Sequence, residues 1–148
     1  MLISKTGTAQ VCDYGLSPII SNPAFVTMIG SSRWLAPEII DPSSSNPLTA
    51  SKSADIFAFA MLAVEVFTGD VPFGSMTEGS VAVQITNGKR PTKPQVSEWL
   101  GLTAEMWKFI EKCWAANPSK RPTIDEVVTT WEGLVNRYVE SCPGSPGS

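Results

Sequence analysis

The sequence has no histidine, and it has only three cysteines, at positions 12, 113 and 142. Three is an odd number and the spacing is unlike that of metal ligands, so neither a zinc site nor a disulfide framework is expected. Unpaired cysteines are typical of proteins kept in a reducing compartment. These absences predict an intracellular protein without structural metal.

Charge is also scarce, because Asp, Glu, Lys and Arg together make up 17% of the chain and the net charge is -3. No run of Lys or Arg occurs, which makes nucleic acid and anionic membranes poor candidate partners. The longest apolar run, Ile56 to Phe67, contains Glu65 and is too short to cross a bilayer. No secretory leader opens the sequence, so we expect a cytoplasmic location.

Hydrophobic residues make up 43% of the 148, which is enough for the core of one compact domain. Two short apolar runs flank the polar turn Ser4 to Thr8 and predict a β-hairpin. Residues 52–140 carry apolar residues at helical spacing and predict a helical core, whereas the Gly, Pro and Ser of 141–148 predict a disordered tail. The predicted fold class is mainly α with a short N-terminal β-hairpin.

Local signals predict where the helices begin and end. Ser53 or Asp55 is expected to cap an almost wholly apolar helix that Gly69 terminates. A short helix begins at Thr77 and ends at Gly88, and another begins at Thr103. A capping box of Thr123 and Glu126 opens the last helix. Its predicted inward side chains are Ile124, Val127, Val128, Trp131, Leu134, Val135 and Tyr138.

Several short motifs follow one another along the chain. Asp13-Tyr14-Gly15 alone is a common turn. The motifs after it are Gly30-Ser31-Ser32-Arg33-Trp34, Ala36-Pro37-Glu38, Ser53-Ala54-Asp55, Gly69-Asp70-Val71-Pro72-Phe73, Gly88-Lys89-Arg90-Pro91 and Ser119-Lys120-Arg121-Pro122-Thr123. In this order and spacing the set resembles the C-terminal lobe of eukaryotic protein kinases, over residues 1–138. The similarity is greatest to the tyrosine-kinase-like group of Ser/Thr kinases.

The resemblance implies roles for particular residues. Asp13 matches the aspartate that binds the Mg²⁺ bridging the ATP phosphates, and Tyr14 stands where the family usually has Phe. Ser31 matches a hydroxyl residue of the substrate-binding loop. Asp55 matches the aspartate that begins the central helix and supports the catalytic loop, although here it could serve only as a helix cap. The alternative for Asp13 is that it is an ordinary turn residue with no metal-binding role.

Two further implications concern the activation segment, residues 13–38. Glu38 and Arg121 match a buried ion pair that ties this segment to the last helices, the alternative being two surface charges that never meet. The hydroxyl groups of this segment at positions 17, 21, 27 and 32 are candidate phosphorylation sites.

The glycine-rich loop, the phosphate-binding lysine and the catalytic aspartate that kinases carry upstream of these motifs have no counterpart here. The resemblance therefore implies a truncated kinase domain over residues 1–140, inactive alone, with Mg-ATP and a protein substrate belonging to the complete kinase. One flank of the central helix should be bare, making the chain marginally stable. The alternatives are a non-catalytic interaction module that binds a partner such as a true kinase, and an unrelated helical scaffold.

Overall fold

The computed structural model describes residues 2–10, 32–41, 51–94 and 101–142. Two strands, β1 and β2, come first, followed by a 3₁₀ turn, and most of the remaining described residues are helical. The helices confirm the predicted, mainly α fold class. The elements are β1 (Leu2–Ile3), β2 (Ala9–Gln10), the 3₁₀ turn Ser32–Trp34, α1 (Pro37–Ile40), α2 (Lys52–Thr68), α3 (Glu78–Thr86), α4 (Ala104–Cys113), the 3₁₀ turn Pro118–Lys120 and α5 (Ile124–Ser141).

The predicted hairpin is present at the start of the chain. Its strands are antiparallel, with Ile3 opposite Ala9. Gly7 adopts a φ of 81°, which is open to glycine at little cost, and its N–H donates to the Ser4 carbonyl at 2.9 Å. Ile3 is 62% exposed, so this hairpin adds little to the core.

Helix α2 begins earlier than the sequence predicts. Its N-cap is Ser51, whose backbone is extended and whose Oγ accepts from the Ala54 N–H at 3.2 Å. Asp55 was predicted as a possible cap, but it already lies inside the helix, donating its N–H to the Ser51 carbonyl. The predicted stop is confirmed, because Gly69 closes the helix at a left-handed φ of 72°.

Helix α2 forms the centre of the core. Phe57, Ala60 and Met61 have no exposed surface, as expected for a helix that is apolar on most faces. Helices α4 and α5 pack against it, and the ring of Phe59 meets that of Trp131 edge-on at 5.3 Å. A wide bare flank was expected on α2, yet among the described residues only Val66 is a mostly exposed large apolar side chain of this helix, at 62%.

The predicted caps of α4 and α5 are confirmed. Thr103 Oγ1 accepts from the Met106 N–H, and Thr123 forms the full capping box with Glu126. The apolar side chains on one face of α4 and at its two ends are buried: Leu102, Met106, Phe109, Ile110, Cys113 and Trp114.

The predicted inward face of α5 is too wide. Val127 and Leu134 are buried, but Ile124 and Val128 are 51% and 47% exposed. The predicted tail also starts too early. Ser141 still belongs to α5, and its hydroxyl donates to the Tyr138 carbonyl at 2.7 Å, which completes the last turn.

Candidate functional site

Glu38 and Arg121 form a bidentate ion pair between α1 and the turn before α5. Arg121 Nη1 donates to Glu38 Oε1 at 2.7 Å, and Nη2 donates to Oε2 at 2.8 Å. The Arg121 side chain is fully buried, whereas 18% of the Glu38 side chain is exposed. Parallel donation of this kind fixes orientation as well as distance.

The other donors of Arg121 bind backbone carbonyls. Its Nε donates to Ala115 O at 2.8 Å, and its Nη1 also donates to Ser53 O at 2.9 Å. One guanidinium therefore joins α1, the first turn of α2 and the loop after α4. The carbonyls and the carboxylate compensate for the burial of its charge.

A second arginine lies over the same aromatic ring. The guanidinium carbons of Arg90 and Arg121 are 4.9 and 5.1 Å from the centre of the Phe57 ring, a distance at which cation–π attraction operates. Arg90 donates to the carbonyls of Trp114 and Ile85 at 3.0 and 3.1 Å. Burial lowers the pKa of Arg90, repulsion from Arg121 lowers it further, and Glu38 opposes this effect.

The 3₁₀ turn Ser32–Trp34 is fastened to the start of α3. The Ser32 N–H donates to Glu78 Oε2 at 3.0 Å, and the Ser32 hydroxyl donates to the same oxygen and to the Glu78 carbonyl. Arg33 Nε donates to Glu78 Oε1 at 2.6 Å. Both carboxylate oxygens of Glu78 are thus engaged by two consecutive residues.

Arg33 also holds the loop between α2 and α3. Its Nη1 donates to the carbonyls of Pro72 and Gly74 at 2.6 and 3.0 Å, and its Nη2 donates to that of Met76. Phe73 lies inside this loop at a φ of 65°, a left-handed conformation that bulky residues rarely adopt. The arginine compensates for the strain by binding the carbonyls on both sides of Phe73.

The carboxyl group of Glu78 responds to this environment. Burial raises its pKa, but the hydrogen bonds from Ser32 and Arg33 and the charge of Arg33 act the other way and together lower the pKa below 4.5. The carboxylate is therefore ionised at neutral pH and can hold the turn permanently.

The structure brings together some of the residues that the sequence singles out. Glu38 and Arg121 meet. Asp55 is exposed in the first turn of α2 and has no part in their pair. Asp13 and Ser31 lie outside the described residues, as do the candidate phosphorylation sites at 17, 21 and 27. Ser32, the fourth candidate, is 5% exposed and bound to a carboxylate, which disfavours phosphorylation there.

The roles of Arg33, Glu78 and Arg90 were not predicted from the sequence. Arg33 and Arg90 stand in quoted motifs, but nothing in their spacing indicates a partner. Glu78 has the signal of an acidic residue in the first turn of a helix, which is common for electrostatic reasons alone. Its pairing with Arg33 spans 45 residues and is visible only in three dimensions.

The described residues contain neither a metal-binding cluster nor a membrane-spanning helix. No cluster of three or more His, Cys, Asp or Glu side chains in the four described stretches could hold a metal ion. Within the same stretches, no helix has the length and apolar character that a membrane span requires.

Comparison with known proteins identifies the family. The model of the protein kinase domain matches residues 1–131. The chain belongs to this family. Glu38 and Arg121 both lie within the matched region of the kinase domain, and so do Arg33 and Glu78.

Individual relatives agree with this assignment. A "Probable serine/threonine-protein kinase" of Dictyostelium discoideum is 31% identical over 138 residues, which is 90% of this chain and 14% of the relative. "Mitogen-activated protein kinase kinase kinase 1b" of Physcomitrium patens is 30% identical over 87% of the chain and 16% of its own length. "Tyrosine-protein kinase Srms" of Mus musculus is 31% identical over 83% of the chain and 24% of its own length. This chain therefore spans less than a quarter of the length of each of these relatives.

Proposed function

We propose that this chain forms the C-terminal lobe of a Ser/Thr protein kinase of the tyrosine-kinase-like group. In the complete protein, this lobe would take part in transferring the terminal phosphoryl group of Mg-ATP to Ser or Thr of a protein substrate. The observation that carries the proposal is the Glu38–Arg121 pair, because it fixes the end of the proposed activation segment, residues 13–38, against the helical core.

The fastening of the 3₁₀ turn supports the same proposal. The proposed substrate-loop residue, Ser31, directly precedes Ser32 in the chain. Ser32 and Arg33 are held by Glu78, so the residue next to the substrate loop has a fixed position. Phosphoryl transfer depends on positioning and on electrostatic stabilisation, and a rigid support for the acceptor is what such a reaction requires.

The proposed metal ligand is Asp13. A carboxylate oxygen suits Mg²⁺, a hard cation that is usually held by one or two carboxylates together with phosphate oxygens. Mg-ATP would supply the phosphoryl group and neutralise its charge during transfer. Asp55 would support the catalytic loop of the complete kinase, because its exposed carboxylate is free of ion pairs among the described residues.

The 148-residue chain alone should be inactive. It carries one proposed metal ligand and no counterpart of the catalytic base, whose contribution is typically about 10²–10⁴ in rate. A single carboxylate should not hold Mg-ATP tightly, so no cofactor is expected to bind strongly to this chain.

The test uses the native protein, captured from cell extract with an antibody against residues 143–148. Its mass and its peptides, read by mass spectrometry, show whether the chain continues upstream of Met1. The captured protein is then incubated with Mg-ATP and casein, and the phosphorylated residue types are identified. A protein carrying Asp13→Asn is compared with one carrying Asp125→Asn, a matched change on the exposed first turn of α5.

The expected result is phosphoserine and phosphothreonine that disappear with Asp13→Asn and persist with Asp125→Asn. Phosphotyrosine alone would contradict the Ser/Thr assignment. A native species of 15.9 kDa that begins at Met1 and lacks activity would overturn the enzymatic proposal and favour the non-catalytic interaction module.

A further inference from the structure

A pocket of about 400 Å³ lies between the C-terminal end of α2, the loop that follows it and the segment Arg90–Pro94. This volume falls in the range typical of small-molecule sites. Glu38, Arg121, Ser32 and Glu78 are not among its lining residues, although Arg33 binds the carbonyls of Pro72 and Gly74 in its wall. The kinase function proposed above uses neither its walls nor its charged residues.

Two residues of opposite charge, Asp70 and Arg90, are among those that line this pocket, and they form no ion pair with one another. Asp70 is exposed and Arg90 is half-buried. Among the described residues, no cationic group lies within 4.0 Å of the Asp70 carboxylate, and no carboxylate lies that close to the Arg90 guanidinium. The two residues do not reach one another either. A ligand that carries both charges could bridge them.

The positions of both charged residues are well supported. The Asp70 N–H donates to Thr68 Oγ1 at 3.2 Å, which holds its backbone at the pocket edge while its side chain stays exposed. Arg90 is held by the carbonyls of Trp114 and Ile85 and by the Phe57 ring. Arg121 is a like-charged neighbour of Arg90. Both carboxylate oxygens of Glu38 already accept hydrogen bonds from Arg121.

The rest of the lining is mainly apolar. Val64, Pro72 and Phe73 contribute from one side, and Pro91 and Pro94 contribute from the other. The strained backbone of Phe73 is held by Arg33 through the neighbouring carbonyls, so this wall is rigid. A ligand for such a surface needs an apolar body as well as its two charges.

We propose that this pocket binds a zwitterionic small molecule with an apolar body, the simplest class being free apolar α-amino acids. The ligand carboxylate faces Arg90, its ammonium group faces Asp70, and its side chain packs against the prolines and Phe73. The proposal does not depend on kinase activity, so the two can fail separately.

The experiment titrates the 148-residue chain, labelled with ¹⁵N, with L-phenylalanine and follows the amide signals. The expected dissociation constant is about 1 mM or tighter, with shifts concentrated at Asp70, Phe73 and Gly74. Three ligands each lack one feature: phenylacetate has no ammonium group, phenethylamine has no carboxylate and glycine has no apolar body. Each should bind about two- to fivefold more weakly, because each missing group makes only a partly exposed contact. The contact with Arg90 is tested by changing the ligand and not by mutating Arg90, because Arg90 also binds backbone carbonyls and its loss would disturb the fold.

Asp70→Asn is the decisive variant, because the side chain it changes makes no ion pair in the described structure. It should weaken L-phenylalanine binding about two- to fivefold and leave phenylacetate binding unchanged. Asp125→Asn, an equal change of charge on α5, should alter neither. Equal weakening of both ligands by Asp70→Asn, equal binding of phenylacetate and L-phenylalanine by the original chain, or no saturable shift up to about 10 mM L-phenylalanine would each overturn the proposal.

Discussion

Arg121 holds both carboxylate oxygens of Glu38, at 2.7 and 2.8 Å, although 83 residues separate them in the chain. The arginine is fully buried and binds three structural elements at once. It is therefore the clearest long-range connection in the helical core. Its loss would leave carbonyls and a partly buried carboxylate without their donor.

Replacing Arg121 by Ala should lower the free energy of unfolding by about 3–5 kcal/mol, because it strands the Glu38 charge. The measurement is urea denaturation of the 148-residue chain, followed by circular dichroism. Arg137→Ala is the matched control, since Arg137 and its partner Glu105 have side chains 62% and 69% exposed. The control should change stability by about 1 kcal/mol or less. Equal effects of the two substitutions would show that the buried pair does not stabilise the core.

Stability should depend on pH through Glu78. Its pKa is lowered from 4.5 in the folded protein, so the ionised carboxylate stabilises the fold above pH 4.5, and this stabilisation is lost as the pH falls through the folded-state pKa. The urea midpoint of Glu78→Gln should therefore lie below that of the original chain at pH 7, and the two should converge in acid. Glu105→Gln, at an exposed position, serves as the control. A gap between Glu78→Gln and the original that is constant from pH 7 to acid would contradict the prediction.

Met61→Ala should destabilise the fold by about 2–5 kcal/mol, because Met61 is fully buried in the central helix and its loss leaves a cavity. Val66→Ala, in the same helix, removes an apolar side chain that is 62% exposed. Its effect should stay within about 0.5 kcal/mol. Thermal unfolding followed at 222 nm distinguishes the two. A Val66→Ala effect as large as that of Met61→Ala would mean that Val66 is covered in solution.

Cys113 should resist alkylation in the native protein. Burial raises the pKa of its thiol to about 12, and its side chain has no exposed surface, so the reactive thiolate is scarce at neutral pH. Iodoacetamide treatment followed by peptide mass spectrometry should modify Cys113 only after urea is added. Cys142, partly exposed after the last helix, should react without urea. Modification of Cys113 at the rate of Cys142 in buffer would show that the core opens readily.

The amino-acid sequence by itself determined the features that depend on a few neighbouring residues. The hairpin around Gly7, the stop at Gly69 and the capping box of Thr123 and Glu126 were all predicted, because each is a local arrangement of hydrogen bonds. The start of α2 was not, since Ser51, Ser53 and Asp55 are all suitable N-cap residues and residue type alone does not select among them. The pairing of Glu38 with Arg121 was expected only from the family resemblance.

Only the tertiary structure decided which distant groups meet. It placed Arg33 against Glu78 and three loop carbonyls, and it brought Arg90 and Arg121 over one ring. It also made Asp70 and Arg90 part of the lining of one pocket. It also exposed Ile124 and Val128, which the helical period had assigned to the core. The physical reason is that helical spacing fixes which side chains share a face, whereas the partners of that face depend on how the helices pack.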